Sequence, residues 1–279
     1  MKKCILACLL ALLVFSPAVR AQTEIGIQLY TLRNQFKNDV AGTLDLIQRW
    51  GIHEIEGGST YGLPMEEFKK MLKDRKLTMV SVGADYKQLK ENPQAAVDQA
   101  KAFGAKYVIC TWIPHNGEFS MENAKEAVDV FNKAGKVLAA NGLSLCYHAH
   151  GYEFGPWQSG TLFDYMMEKA DPRYFNFEMD VFWVKHPGQD PVALLKKYPN
   201  RFPLMHLKDR KPGTVGNQKG EADVETNVVL GTGDVGIAAI MKAAKKAGVK
   251  HFFIEDESSR SVTQVPESLA YLKHLPNSN

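Results

Sequence analysis

Cysteine is scarce in this chain of 279 residues. Of its four cysteines, Cys4 and Cys8 stand in the leading apolar stretch, and only Cys110 and Cys146 lie beyond it. So low a count excludes a fold stapled by disulfides and a structural thiolate metal site. Cys110 and Cys146 each sit inside an apolar run, which reads as two buried thiols on neighbouring strands. Pairing between them is the alternative open to an exported protein. An excess of one charge is lacking too. Lys and Arg number 34 against 31 Asp and Glu, and three of the cations, Lys2, Lys3 and Arg20, belong to the leading segment; 34 − 3 leaves 31 against 31. A near-neutral remainder carries no electrostatic footprint for nucleic acid.

Long hydrophobic runs are also missing. The one unbroken run, Cys4 to Phe15, is well short of the ~20 residues that cross a bilayer. It follows two lysines and leads through Ser16-Pro17 to Val19-Arg20-Ala21, a small-residue cleavage pattern. Residues 1–21 therefore read as a secretory signal peptide, which implies an exported, periplasmic protein and a mature domain over 22–279. Nothing else in the sequence suits membrane insertion. Low-complexity segments and internal repeats are absent, and no G-x-G-x-x-G follows the first strand, which argues against an open doubly wound dinucleotide fold.

What the sequence does contain is alternation. Short runs rich in β-branched and apolar residues (25–30, 53–57, 77–83, 106–112, 143–150, 174–180, 202–209 and 251–257) are each followed by a helical pattern (42–50, 65–75, 92–103, 121–140, 160–170, 190–198, 234–247 and 265–274). Helix ends are punctuated at Gly51, Gly104, Gly142 and Gly248, as expected where the chain turns back through a left-handed residue. Near-continuous apolar strands fit a parallel sheet buried on both faces. Eight such units in about 255 residues predict an α/β fold, a single (β/α)8 TIM barrel whose chemistry lies at the C-terminal ends of its strands. Two long loops leave such ends, one from Lys208 to Gly233 and one after Asp180.

Metal-ligand side chains collect at four successive strand ends. They are His148, His150 and Glu153; then Glu178 and Asp180; then His206 with Lys208 and Asp209; then Glu255, Asp256 and Glu257. Crowded carboxylates repel one another and are costly to desolvate. A divalent cation relieves this, and one His among three carboxylates suits Mn²⁺, Mg²⁺, Co²⁺ or Zn²⁺.

With GIQLYTLR at 26–33, GIHEIE at 51–56, YHAHGYEF at 147–154, FEMDVFWV at 177–184, MHLKD at 205–209, LGTGDVG at 230–236 and FIEDE at 253–257, essentially the whole mature chain resembles the xylose isomerase-like TIM barrels. These are also called the sugar phosphate isomerase/epimerase family, and AP endonuclease-type barrels share the fold. The resemblance implies one divalent metal held by Glu153, Asp180, His206 and Glu255. It further implies that Glu153 and Glu255 act as an acid/base pair on either face of a carbon next to a metal-polarised carbonyl. His150 is expected nearer the substrate than His148. Lys208 is placed to stabilise oxyanion charge. Many relatives carry D-x-x-H after strand six; here Trp183 stands in place of that His, and its face suits stacking on a sugar ring. Trp112 and Trp157 are candidates for the same wall.

The activity this implies is that of an isomerase or epimerase of a free sugar, keto-sugar or glycoside, since export separates the protein from cytoplasmic sugar phosphates. Two alternatives accompany it, a metal-dependent hydrolase or lyase of (keto-)glycosides and a non-catalytic periplasmic sugar-binding barrel. The partner implied is a small carbohydrate, with no nucleic acid, and the resemblance leaves room for a homodimer.

Overall fold

The computed structural model describes residues 24–275, so the expected signal peptide at 1–21 lies outside the described residues. Eight parallel strands close into a barrel. They are β1 (Ile25–Gln28), β2 (Glu54–Gly57), β3 (Thr78–Gly83), β4 (Tyr107–Cys110), β5 (Ser144–His148), β6 (Phe175–Asp180), β7 (Leu204–Leu207) and β8 (His251–Ile254). They pair in chain order, and β8 returns to β1. Each is followed by a main helix: α1 (Val40–Arg49), α2 (Met65–Asp74), α3 (Pro93–Phe103), α4 (Met121–Ala140), α5 (Leu162–Lys169), α6 (Pro191–Lys197), α7 (Ile237–Lys246) and α8 (Ser261–His274). This is the (β/α)8 barrel that the alternation predicts. Among the described residues, no helix is long and apolar enough to cross a membrane.

Local chemistry sets the helix ends. The Asp39 side chain accepts from Gly42 N at the start of α1, and Ser120 with Asn123 and Thr161 with Asp164 form reciprocal capping boxes at α4 and α5. Such caps are each worth about 1 kcal/mol because they satisfy amide donors that the first helical turn cannot. The four glycines expected to end helices all have positive φ.

Alternation along the strands decides what fills the barrel. One parity of side chains packs against the helices. The other points inward, where Val80, Tyr107, Ile109, Cys146, Leu204 and Phe253 form a separate apolar cluster. Gly26 makes room for it: a Cβ there would come within 2.6 Å of the Phe253 ring. With a strand period of two, the next inward positions beyond Cys146, Leu204 and Phe253 are His148, His206 and Glu255. The apolar plug is thus the floor on which a polar storey stands, at the C-terminal end of the strands.

The two cysteines fall on opposite faces. The register pairs Cys110 with Tyr147 and Ile109 with Cys146, so Cys110 joins the strand–helix layer while Cys146 points into the barrel. Both are free and buried. Burial pushes the Cys110 thiol up to about 12 and the Cys146 thiol well above its usual range. Neither thiol is expected to react with an alkylating reagent in the native protein, and both should be labelled in denaturant, as read by peptide mass mapping. Native labelling of either would contradict this packing.

Candidate active site

The floor of the site is built from inward positions of β5 to β8. His148 Nε2 lies 3.6 Å from Asp180 Oδ2, His206 Nδ1 lies 3.9 Å from the same oxygen, and His206 Nδ1 lies 3.3 Å from Glu255 Oε2. Ligand atoms of His148, Asp180 and His206 form one group that could hold a cation. Donors ringed around a cation at about 2.0–2.2 Å stand some 3–4 Å apart, which matches this spacing.

Each of these side chains has a polar neighbour behind it. His148 Nδ1 is 3.3 Å from Glu178 Oε2. His206 Nε2 is 2.7 Å from Glu56 Oε1, which also accepts from Gln28 Nε2 at 2.7 Å, and Ser81 Oγ donates to the other Glu56 oxygen. Asp180 Oδ1 accepts from the amides of Phe182 and Trp183 at 2.8 and 3.2 Å, so only Oδ2 is left to face the group. Lys208 Nζ donates to Glu255 Oε2 at 3.1 Å and also to Glu257. The Glu56 carboxylate behind His206 fixes which of its ring nitrogens faces forward, an arrangement usual behind metal-binding histidines, whereas Glu178 lies near His148 Nδ1 without a hydrogen bond to it.

The electrostatics are demanding. Glu56, Glu178, Asp180 and Glu255 are buried together, with Glu257 beside them. Burial pushes Glu178 up to about 7, helped by the neighbouring Glu56. Burial opposes charge on His148, but the Asp180 and Glu178 carboxylates outweigh it and lift the imidazole to about 9. Burial likewise opposes charge on His206, and Glu178, Glu255 and Glu56 together raise it well above its usual value. Both ring nitrogens of His148, both oxygens of Glu178, Asp180 Oδ2 and His206 Nδ1 are buried without a hydrogen-bond partner. Leaving such atoms unsatisfied costs about 1–3 kcal/mol each. A divalent cation before Asp180, His148 and His206 would meet three of them at once, so the residues fit one.

Above this floor opens a cavity of about 630 Å³. Trp183, His150 and Trp112 line it, as do Gln28, Tyr30, Arg33 and Glu257. Gly220 to Ala222 and Val224 of the long loop roof it. That loop is tied down. Asp209–Arg210 pairs antiparallel with Asn227–Val228, and the Asp209 carboxylate accepts from the amides of Arg210, Gly231, Gly233 and Val235. Its middle is fastened by Asn217, whose Nδ2 donates to His186 Nε2 at 3.0 Å, and by Gln218, which donates to the Phe154 carbonyl. Gly220 has φ +70°, and a Cβ there would meet the Tyr152 and Trp112 rings.

Asp180, His206 and Glu255 come together as the sequence leads one to expect, and His150, Trp183 and Trp112 line the cavity. Glu153 does not join them. Its carboxylate turns back into the barrel wall, where it accepts from the Tyr147 hydroxyl and from the amides of His150 and Gly151 at 3.1 and 2.8 Å. It is fully buried and does not line the cavity. The reason is the left-handed Gly151, after which residues 152–154 form a 3₁₀ turn that carries Glu153 off the strand's inward line. His148, expected to lie farther from the substrate than His150, stands in its place. Lys208 is buried behind Glu255 and does not line the cavity, and Trp157 packs edge-on against Tyr165. Glu56 and Gln28 escape a reading confined to β5–β8. The signal for Glu56 is the alternation Glu54-Ile55-Glu56, which puts a carboxylate on the inward line of β2.

Comparison with known proteins agrees with this architecture. The model of a family described as xylose isomerase-like TIM barrel matches residues 44–275. An inosose dehydratase of Clostridium botulinum (strain Alaska E43 / Type E3) is 27% identical over 192 residues, which span 61% of this chain and 63% of that protein. A crystal structure of a sugar phosphate isomerase/epimerase from Parabacteroides distasonis ATCC 8503 is 26% identical, with a TM-score of 0.74 over 92% of this chain and 100% of that one. The IOLI protein, solved with a bound zinc atom, shares the fold at 12% identity, with a TM-score of 0.70 over 90% of this chain and 95% of that one.

Proposed function

The chain belongs to the xylose isomerase-like TIM barrel family, and from that premise we propose that it is a divalent-metal-dependent enzyme that moves a proton next to the carbonyl of a carbohydrate. The observation that carries this reading is the convergence of unpartnered buried donors of His148, Asp180 and His206, with Glu255 beside them, under an aromatic-walled cavity. The ligand set we propose is therefore His148, Asp180, His206 and Glu255, with His148 in the position first expected of Glu153. When bound, the ion would polarise a carbonyl oxygen and stabilise the negative charge that grows there.

The remaining work falls to the protein's own side chains. Burial alone would raise the Glu255 carboxyl, but Lys208 and His206 hold it well below the usual carboxylate range. It is thus ionised and lines the cavity, the position from which it would take a proton from a carbon next to a carbonyl. Glu153 is walled off from the opposite face. His150 lines the cavity, and burial together with the neighbouring His148 keeps its imidazole well below its normal pKa. A neutral ring there can accept a proton from one face or, once protonated, deliver it. Lys208 is a fixed cation: burial opposes its charge, but Glu255, Glu257 and Asp180 raise it above an ordinary lysine. It holds Glu255 and Glu257 in place and leaves the proton transfers to Glu255 and His150. Trp183, with its ring centroid 5.5 Å from that of His150, offers the wall for a sugar ring.

Two outcomes share this first step. Return of the proton to another position or face yields an isomer or epimer, whereas loss of a hydroxyl from the neighbouring carbon yields a dehydrated product. The name of the clostridial relative favours elimination, and the solved Parabacteroides relative favours isomerisation. Export over residues 1–21, which we propose as well, favours an unphosphorylated substrate. The test is incubation of the Mn²⁺-, Co²⁺- or Zn²⁺-loaded protein with keto-sugars and keto-cyclitols in D₂O. The expected result is deuterium at the carbon next to the carbonyl, with product mass separating isomerisation from loss of water. No exchange with any pair of metal and substrate would leave a sugar-binding barrel as the better reading.

A further inference from the structure

We propose that the cavity takes a two-ring ligand, with one sugar ring on the polar floor and a second ring clasped at the mouth between Tyr30 and Trp112. This rests on the reading of the floor as a carbohydrate site. Among the described residues, three large hydrophobic side chains are exposed, and two of them, Tyr30 at 53% and Trp112 at 40%, line this one cavity. They leave β1 and β4, which are separated around the barrel by β2 and β3, so they approach the mouth from different sides.

Both are braced although exposed. The Arg33 guanidinium lies 4.5 Å from the Tyr30 ring centroid and is itself held by the carbonyls of Tyr30 and Glu257 at 3.1 and 2.7 Å. Trp112 stacks on His115 with ring centroids 5.3 Å apart and meets Tyr152 edge-on at 4.9 Å. Apolar rings held in place while wet cost hydration in the free protein, and that cost is recovered when a flat, partly apolar face covers them. The sugar ring face is such a surface, since its C–H groups pack on aromatics while its hydroxyls stay at the edge. From Trp112 the aromatic wall continues inward through His150, with centroids 5.7 Å apart, to Trp183 at a further 5.5 Å, so the mouth and the floor are joined by one wall. A volume of about 630 Å³ lies within the roughly 300–1,000 Å³ that accommodates drug-sized ligands, and it exceeds the needs of a single hexose. The chemical class implied is a disaccharide or a glycoside with a cyclic aglycone.

The experiment is calorimetric titration of the metal-loaded full-length mature protein with matched pairs: glucose and cellobiose, galactose and lactose, mannose and mannobiose. The same pairs are then titrated into Tyr30→Ala and Trp112→Ala. In at least one pair the two-ring member is expected to bind about 10-fold or more tightly than its single ring, and that ratio should fall towards one in both variants. Equal affinity within every pair, absence of binding throughout, or a ratio that survives both substitutions would overturn the proposal. Binding does not depend on turnover. A preserved two-ring preference without deuterium exchange would therefore sink the catalytic reading alone, and exchange without the preference would sink this one alone.

Discussion

Replacement of His206 by Ala is expected to reduce bound metal from near one equivalent to a trace and to abolish proton exchange. His206 faces the proposed cation through Nδ1 and is locked from behind through Nε2 by Glu56. Loss of a partner behind a ligand already costs about 10–100-fold in affinity or activity, and loss of the ligand itself should exceed that. A structural cost accompanies it. The imidazole sits among Glu56, Glu178 and Glu255, and removing one partner from a buried charged group costs about 3–5 kcal/mol. His148→Gln, which keeps more of the side-chain volume, is the companion variant and should also lose metal. Elemental analysis of folded protein, checked by circular dichroism, is the measurement. One full equivalent retained in both variants would end the proposed ligand set.

Glu153→Ala should do the opposite, keeping the metal and losing stability. Three donors, the Tyr147 hydroxyl and the amides of His150 and Gly151, converge on this one carboxylate. Without it the two amides are stranded in the wall, while the Tyr147 hydroxyl keeps Tyr152 Oη at 2.8 Å; at about 1–3 kcal/mol for each buried unsatisfied group the loss should reach several kcal/mol. For a domain of this size each kcal/mol lowers Tm by about 2–4 °C, so a fall on the order of 10 °C is expected. Glu153→Gln keeps an acceptor oxygen but turns an amide towards Gly151 N–H, and it should fall between the wild type and Ala. Thermal unfolding and metal content measured on the same samples decide the matter. Metal lost from Glu153→Gln with Tm unchanged would return Glu153 to the ligand set.

The contrast between these two residues shows what was legible in the sequence. The barrel was, because each strand is a short β-branched run and each helix a longer periodic one, with glycine at the turns. Asp180, His206 and Glu255 were legible because each ends a strand on its inward line. The placement of Glu153 was not legible because it depends on a turn: a left-handed Gly151 and one 3₁₀ turn suffice to point its side chain into the wall. His148 lies on the regular strand, where a period of two carries it directly from Cys146 into the cavity. Glu56 belongs to the other half of the barrel and meets His206 only because the sheet closes, across 150 positions of sequence. Neighbouring residues carry no signal of such a contact; closure and register create it.

Asp209 binds both ends of the roof loop through four backbone amides, so the loop is closed at its base before its tip touches anything. A loop fastened in this way behaves as a module. Each doubling of its length adds only about 0.6 kcal/mol of closure entropy, and the strands beneath need not register the change. Additional residues near the exposed Val215 would lengthen the roof without altering β7, α7 or the ligand storey. The architecture therefore separates two kinds of inheritance: the proposed reacting centre is fixed by strand parity, while the shape of the cavity above it can drift with the length and sequence of one tethered segment.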